Sequence, residues 1–253
     1  MSRPIGEVAF GELAPYYDYL MRQIPYERWA DYVEDLFLLG RHEPSSILDL
    51  CCGTGRFGLA MARRGYEVVG VDLSYPMARQ AAVNARNEGA ELQIVNADAC
   101  ALPFEREFDA VVSVFDSLNY ITSDDGLLLA YESAARALRP RGLFVFDINT
   151  VTALREELFT QSRGGSLDRL HYEWRSRWDP AARLSTIQMT FVWRDEGRNH
   201  SFQETHVQRG YDDDEIRDTL RKSGLRLLGA YQAYTTRPLS EDVSRAFYLA
   251  VKR

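Results

Sequence analysis

The chain has few cysteines, and their positions exclude two kinds of site. Its three cysteines are Cys51, Cys52 and Cys100, and two of them are adjacent, so a disulfide framework is not available. No C-x-x-C or histidine-rich spacing indicates a metal site, and we predict none. Small buried thiols in a reducing compartment are the simpler interpretation.

The chain also lacks an excess of basic residues and any long apolar run. Its 30 Lys+Arg against 37 Asp+Glu give a net charge of −7, so we do not expect nucleic acid as a partner. No stretch approaches the ~18 apolar residues of a membrane span, and the opening residues MSRPIGEVAF contain no apolar signal core. We therefore expect a soluble, cytoplasmic protein that does not contact membranes; its oligomeric state, monomer or homodimer, stays open.

Between about 45 and 150 short apolar runs alternate with amphipathic segments, which predicts βαβ units around a parallel sheet. The predicted strands cover 46–50, 67–73, 92–98, 108–115 and 142–149. The predicted helices between them cover 55–65, 75–89 and 124–140. Ser74 is the expected N-cap of the second helix, and Gly89 and Gly142 are expected at helix exits.

The segments on either side of this core complete one domain. Residues 1–44 contain one or two helices, and residues 160–210 read as an antiparallel insert of three strands at 167–178, 183–194 and 200–211. Residues 211–253 supply a last helix, with a capping-box spacing at Asp212 and Glu215, and a final strand pair. A 253-residue chain with 45% hydrophobic residues can bury one sizeable core of this kind.

The stretch GTGRFG at 53–58 is a G-x-G-x-x-G between a predicted strand and helix, a pattern usual for dinucleotides. Asp49, however, stands at the mouth of the same loop. At 4 Å, with an effective dielectric constant of ~20, its carboxylate would repel a pyrophosphate charge by about 4 kcal/mol. A cationic nucleoside such as S-adenosylmethionine (SAM) would be attracted instead. A helix cap or turn residue is the alternative role of Asp49.

Two more carboxylates, Asp72 and Asp98, follow the second and third predicted strands. Asp72 is the expected acceptor for ribose hydroxyls, and the backbone N–H of Ala99 is the expected donor to adenine. Each carboxylate taken singly is often a turn residue. With Asp49, however, they stand at the ends of three successive strands, where open α/β sheets bind their ligands.

These stretches resemble the class I SAM-dependent methyltransferases. The resemblance lies in ILDLCCGTGRFG, VVGVDLS, NADACALPF, FDAVVSVFDSLNYI and ALRPRGLFVFDINT, within residues 47–150. It implies an α/β, Rossmann-like sheet of seven strands with helices on both faces and a reversed last strand. It also implies SAM as cofactor and S-adenosylhomocysteine as product. The cofactor-binding residues it implies are Asp49, Cys51, Gly53, Gly55, Asp72, Leu73, Met77, Asp98, Ala99 and Phe115. Cys51 stands where the family often has glycine.

The end of the fourth predicted strand, which faces the methyl group in this family, reads FDSLNY at 115–120. It lacks both the (N/D)-P-P-(Y/F) signature and a cysteine nucleophile. It is more similar to the small-molecule branch, which includes sugar N-methyltransferases and often carries a histidine near the position of Tyr120. Tyr120 is therefore a candidate catalytic residue and Asn119 a candidate substrate contact. Capping of the following helix is the alternative for both.

The N-terminal aromatic residues resemble the lid of the same branch. The resemblance implies that Tyr17 reaches the methionine carboxylate of the cofactor, and that Tyr26 and Trp29 close over the substrate. Core packing is the alternative, since aromatic residues on an amphipathic helix are usually buried.

In the insert, His206 and Arg209 are three residues apart, so in a regular strand they face opposite sides. His206 is the candidate base for the acceptor, with a solvated strand edge as its alternative. Arg209 is a candidate ligand for an acidic group of the substrate.

The predicted function is methyl transfer to nitrogen or oxygen of a small-molecule acceptor by in-line displacement. RNA or protein methylation is one alternative and would need a clustered basic face, whereas 175–183 is the only modest concentration. A SAM-binding module without catalysis is another. A nicotinamide enzyme would need a Tyr-x-x-x-Lys pair, and Tyr248 and Lys252 in a strand would lie ~13 Å apart.

Overall fold

The computed structural model describes residues 9–156, 165–195 and 197–253. Its strands in chain order are β1 (Ser46–Leu50), β2 (Glu67–Asp72), β3 (Leu92–Asn96), β4 (Phe108–Ser113), β5 (Leu138–Asn149), β6 (Gly165–Leu167), β7 (Leu170–Asp179), β8 (Leu184–Asp195), β9 (Arg198–Arg209), β10 (Leu225–Gln232) and β11 (Arg245–Lys252). Its helices are α1 (Ala14–Leu20), α2 (Tyr26–Leu39), α3 (Arg56–Arg63), α4 (Tyr75–Glu88), α5 (Asp124–Ala137), α6 (Val151–Arg155) and α7 (Asp213–Lys222). Two short 3-10 turns, Ala99–Ala101 and Ser117–Tyr120, follow β3 and β4.

Seven strands form one sheet in the order β3-β2-β1-β4-β5-β11-β10. Strands β1 to β5 run parallel, and β11 is antiparallel to both β5 and β10. The predicted sheet with its reversed last strand is therefore confirmed. The order in which successive strands are added to the sheet reverses between β1 and β4. The carboxyl ends of these two strands border the crevice where such sheets bind ligands.

The sheet is buried on both faces, because its central strands carry almost continuous apolar sequence. Every residue of β1, SILDL, is buried. One face packs against α5 and α7 through Tyr131 and Ile216, and the other packs against α2 and α3 through Leu36 and Leu59. Full burial of side chains of this size stabilises the fold by about 1.5–3 kcal/mol each. The resulting rigid layers hold the strand tips in place.

The insert is a separate antiparallel sheet in the order β6-β7-β8-β9. Its three long strands match the predicted ones, and the structure adds β6 at the edge. The three residues of β6 are too few for alternation of apolar and polar positions to be visible in the sequence. The face of β9 that carries Phe202, Glu204, His206 and Gln208 is buried.

Ser74 caps α4 and Gly89 ends it in a left-handed conformation with φ 62°, as predicted. The expectation for Gly142 is wrong, because this residue lies inside β5, which begins at Leu138. A Cβ at Gly142 would lie 3.0 Å from the carbonyl oxygens of Arg139 and Asp109. Close approach of the backbone therefore explains this glycine.

Helix α1 lies against the glycine loop at the carboxyl end of β1, whereas α2 packs on one face of the sheet. Asp18 of α1 accepts hydrogen bonds from Thr54 Oγ1 at 2.6 Å, from the Arg56 guanidinium at 2.7 Å and from Asn84 Nδ2 at 2.7 Å. Leu13, just before α1, packs into the apolar cluster of the insert sheet. These contacts place α1 between the glycine loop and the insert. No helix within the described ranges is long and apolar enough to cross a membrane.

Candidate active site

The glycine loop after β1 turns through positive φ angles: 62° at Cys51, 56° at Gly53 and 77° at Gly55. A Cβ at Gly53 would meet nothing within 4 Å, whereas a Cβ at Gly55 would lie 3.0 Å from Ala81 Cβ. Gly53 therefore presents an open backbone surface to the crevice, and Gly55 allows the loop to approach α4. The positive φ of Cys51 is a conformation that favours glycine, since left-handed backbone is strained for a residue with a side chain.

Asp72, at the tip of β2, joins this loop to the start of α4. Its Oδ2 accepts the Gly53 N–H at 2.8 Å, and its Oδ1 accepts the Ser74 N–H at 2.8 Å. Burial raises the pKa of the Asp72 carboxyl, and the two amide donors lower it in part. Asp72 therefore holds the loop in shape, and its contact with the ribose stays a prediction.

Asp49 lies beneath the loop, with 1% of its surface exposed, and not at the mouth that the sequence indicated. Burial raises the pKa of its carboxyl to about 7; the Gly58 amide lowers it and the charge of Asp72 raises it. Its Oδ2 has no hydrogen-bond partner, and a Cβ at Gly58 would lie only 2.9 Å from this oxygen. A buried acceptor without a partner, next to Asp72, fits a site that binds a cationic group.

The residues predicted to hold adenine come together at the tips of β2 and β3, which pair through Asp72 and Asn96. Asp98 is exposed and accepts the Cys100 N–H at 2.9 Å, so it caps the 3-10 turn that begins at buried Ala99. Leu73, directly after β2, is 44% exposed, and Met77, in the first turn of α4, is buried. The exposed apolar side chain of Leu73 and the exposed carboxylate of Asp98, at neighbouring strand tips, suit a nucleoside.

Two of the predicted lid residues, Tyr26 and Trp29, lie against Phe115 at the tip of β4. Trp29 stacks on Phe115 with ring centroids 3.9 Å apart and an 11° interplanar angle, and the Tyr26 ring lies 5.3 Å from Phe115. Burial raises the pKa of the Tyr17 hydroxyl, and the nearby Tyr26, Asp116 and Asp72 raise it further. The aromatic side chains of Tyr26 and Trp29 on α2 therefore cover the tip of β4.

Sequence reasoning missed an ion-paired cluster at this tip. Asp116 adopts a left-handed backbone with φ 52° and accepts from Arg245 at 2.7 Å and from Gln208 Nε2 at 2.6 Å. Arg245 also pairs with buried Asp147, whose pKa burial raises to about 6 against the lowering effect of the Arg245 charge. Four different strands and turns supply these residues, so no local motif shows them.

The insert contributes a hydrogen-bonded chain to the same region. The Tyr120 hydroxyl lies 2.9 Å from His206 Nδ1, and His206 Nε2 lies 2.7 Å from Glu204 Oε2. His206 is fully buried, so only Tyr120, which is half-buried, faces the crevice. Burial raises the pKa of the Tyr120 hydroxyl well above its ordinary value, and Asp116 adds to this effect. The structure brings together the two predicted catalytic residues and adds Glu204.

Two predicted substrate contacts lie away from the open crevice. Asn119 is fully buried: its Nδ2 donates to the carbonyl oxygens of Asn149 and Arg209 at 3.0 and 2.8 Å, and its Oδ1 accepts the Asn149 N–H at 2.9 Å. Arg209 faces the other side of β9 from His206, as predicted, and pairs with Asp124 at 2.7 Å and Glu215 at 3.5 Å. These bonds give both side chains a structural role.

The Tyr-x-x-x-Lys pair of the nicotinamide alternative does not form a relay. Tyr248 donates to Asp213 Oδ1 at 3.0 Å, and Lys252 donates to the carbonyl oxygen of Leu138 at 2.6 Å. Both residues lie on β11. Within the described part of the chain, no group of three or more His, Cys, Asp or Glu side chains is arranged to hold a metal ion.

Comparison with known proteins agrees with this geometry. Residues 47–142 match a family described as a methyltransferase domain. YqeM of Bacillus subtilis (strain 168), which is named as a methyltransferase, is 32% identical over 242 residues, covering 94% of this chain and 95% of YqeM.

Solved structures show the same relationship. A SAM-dependent methyltransferase from Clostridium acetobutylicum superposes with a TM-score of 0.85 at 26% identity, covering 95% of this chain and 98% of that chain. The sugar N-methyltransferase KedS8 from Streptoalloteichus shares the fold, with a TM-score of 0.78 at 18% identity over 100% of this chain and 98% of that chain. SAM is therefore the cofactor that the acidic crevice accommodates. The chain belongs to the class I SAM-dependent methyltransferases.

Proposed function

We propose that this enzyme methylates a nitrogen or oxygen atom of a small-molecule acceptor, and that the acceptor proton leaves through Tyr120. The observation that carries the proposal is the buried chain from Tyr120 through His206 to Glu204, at the tip of β4. A proton-accepting chain at this place suits an acceptor that must lose a proton as it gains a methyl group.

The cofactor is held by the residues of the glycine loop and the tips of β2 and β3. We assign Asp72 to the ribose, Ala99 and Met77 to the adenine, and Tyr17 to the methionine carboxylate. When bound, SAM supplies a methyl group on a sulfonium, an activated leaving group for in-line displacement by the acceptor atom. Positioning of that atom is therefore the main task of the protein.

Proton removal then follows from the geometry of the three side chains. The phenol oxygen of Tyr120 accepts the acceptor proton while its own hydroxyl proton passes to His206 Nδ1, 2.9 Å away. The imidazolium formed stays paired through Nε2–H with the Glu204 carboxylate, 2.7 Å away. No free phenolate is needed, so the raised pKa of Tyr120 does not prevent the step. The proton returns to solvent after the product leaves.

A small acceptor is favoured over RNA by the charges at the crevice. Two arginines, one beside the glycine loop and one at the tip of β4, are already paired: Arg56 with Asp18 and Glu88, and Arg245 with Asp116 and Asp147. A polyanion would need unpaired basic side chains here.

Transfer of a radioactive methyl group from SAM tests the acceptor class. A cell extract is separated by size into small-molecule, protein and RNA fractions, and each is incubated with the enzyme. We expect label in the small-molecule fraction, on an amine or a hydroxyl compound. Label confined to RNA or protein would overturn the proposal.

His206→Ala and Tyr120→Phe test the proton path. Each is expected to lower kcat about 10²-fold, the usual contribution of a positioned proton acceptor, without changing the dissociation constant of SAM. His200→Ala is the matched control, because His200 is an exposed residue on the same strand. Full activity of His206→Ala, measured on protein whose thermal unfolding is cooperative, would remove this residue from the mechanism.

A further inference from the structure

The segment 9–13, called the strap here, crosses the candidate acceptor site. Its Phe10 ring lies 4.4 Å from the His206 ring and 5.3 Å from the Tyr120 ring, measured between centroids. At one side the Phe10 carbonyl oxygen accepts the Ser74 hydroxyl at 3.1 Å. The strap therefore covers the two side chains of the proposed proton path.

The strap is also attached to Glu204. Glu204 Oε2 accepts the Phe10 N–H at 3.0 Å, and its Oε1 accepts the Leu13 N–H at 2.9 Å. The same Oε2 lies 2.7 Å from His206 Nε2. The buried Glu204 carboxylate thus contacts both the strap and the His206 imidazole beneath it.

The donor set of Glu204 keeps its carboxylate charged. Burial raises the pKa of the Glu204 carboxyl, but the bonds from His206, Leu13 and Phe10, together with the attraction of a protonated His206, outweigh burial and hold that pKa below its ordinary value. An ionised carboxylate only accepts hydrogen bonds, so the nitrogen facing it must carry a proton. In its neutral form, His206 then has Nε2–H toward Glu204 and a free lone pair on Nδ1.

This protonation state is the one that the proposed function requires. A lone pair on Nδ1 can accept the Tyr120 hydroxyl proton, whereas an Nδ1–H could not. In the opposite tautomer, the Nε2 lone pair would also face the carboxylate at 2.7 Å, which is repulsive. The contact with Glu204 therefore selects the useful tautomer.

We propose that Glu204 is a positioning residue which sets the tautomer of His206 and links it to the seating of the strap. This inference rests on the proposed function, since it assigns a role to Glu204 in the same proton path. Glu204 acts through His206 and does not touch the acceptor. With the strap seated, three donors fix the carboxylate, and the imidazole beneath it is ready to accept a proton.

Nitrogen-15 NMR of the imidazole in the wild-type protein is the first test, and it needs neither cofactor nor acceptor. The four histidines are labelled, and the His206 signals are assigned by their loss in His206→Ala. We expect a protonated Nε2 and an unprotonated Nδ1. An Nδ1–H tautomer would overturn the proposal, whether or not SAM binds in a separate calorimetric titration. Failure of that titration alone would count against the proposed function.

Glu204→Gln is the decisive variant. Oε2 of Glu204 accepts hydrogen bonds from Phe10 N–H and His206 Nε2–H, and Oε1 accepts one from Leu13 N–H. In either orientation of the glutamine amide, its NH₂ group would therefore face an N–H donor. We expect a mixed or reversed tautomer of His206, a fall of at least about tenfold in kcat, and an unchanged dissociation constant for SAM. Gln203→Glu is the matched control, an isosteric change at the exposed neighbouring position. An unaltered His206 tautomer in Glu204→Gln would overturn the proposal.

The link to the strap is tested by removing one amide. Leu13→Pro deletes the N–H that reaches Glu204, and the φ of −70° at Leu13 is compatible with proline. Leu13→Ala is its control, because it loses the buried side chain but keeps the N–H. We expect the His206 tautomer to become mixed in Leu13→Pro only. Identical NMR spectra for the two variants would refute the link.

Discussion

Replacing Asp72 by alanine should weaken both the glycine loop and the binding of SAM. The Asp72 carboxylate accepts the backbone N–H groups of Gly53 and Ser74, each at 2.8 Å. Alanine leaves both donors without this partner and removes the predicted acceptor for the ribose hydroxyls. Asparagine keeps one acceptor oxygen but turns an NH₂ group toward the second N–H. The two variants therefore remove different parts of the same arrangement.

The size of the effect follows from these bonds. A hydrogen bond to a charged group contributes about 1.5–3 kcal/mol, and 1.4 kcal/mol corresponds to about tenfold in affinity. For Asp72→Ala we expect a loss of about 2–4 kcal/mol in the free energy of unfolding, since water replaces part of the lost bonding. The affinity for SAM should fall by about 10–100-fold, because the loop amides and the ribose lose a common partner. Asp72→Asn should lie between the wild type and alanine.

Isothermal titration calorimetry with SAM gives the dissociation constants, and urea unfolding gives the stabilities. Glu67→Ala is a suitable control, since Glu67 is exposed at the opposite end of β2. The binding assignment is refuted if Asp72→Ala binds SAM as tightly as the wild type. If only stability falls, Asp72 supports the loop but does not bind the cofactor.

Two further predictions concern buried polar side chains. The pKa of Asp49 is raised by burial to about 7, above its value of about 3.8 in the unfolded chain, so its contribution to stability is present below pH ~3.8 and is lost as pH rises through ~7. Relative to Asp49→Asn, the wild type should therefore lose free energy of unfolding as the pH rises from ~3.8 to ~7. Its affinity for cationic SAM should rise near pH 7. The prediction is contradicted if the wild type and Asp49→Asn show the same pH dependence in urea unfolding and in calorimetry. Asn119→Ala should lower the free energy of unfolding by about 2–4 kcal/mol, because three buried backbone groups lose their partner. Asn199→Ala is the control, because Asn199 is exposed on β9, and its free energy of unfolding should stay within about 0.5 kcal/mol of the wild type. An equally small loss in Asn119→Ala would contradict the structural role of Asn119.

Placement within the fold changed the interpretation of several residues that the sequence had singled out. Asp49 precedes the glycine loop in the chain, yet it lies beneath that loop because β1 is buried on both faces. Asn119 follows β4 in a motif that suggests substrate contact, but its amide joins the backbones of β5 and β9. Spacing predicts which strand end a residue occupies; the direction and partners of its side chain depend on the neighbouring elements.

The sequence alone determined the parallel core, its glycine turn and the acidic strand tips, because these depend on local periodicity, on φ angles that favour glycine, and on the common edge of parallel strands. Only the tertiary structure decided the contacts of Tyr120, His206 and Glu204 on which the proposed proton path rests, and the ion-paired cluster beside them. Tyr120 and His206 are 86 residues apart, and Phe10 and Glu204 are 194 apart. Their contacts exist because the insert sheet and the strap pack together over the tip of β4, and side chains so distant in the chain leave no periodic signal.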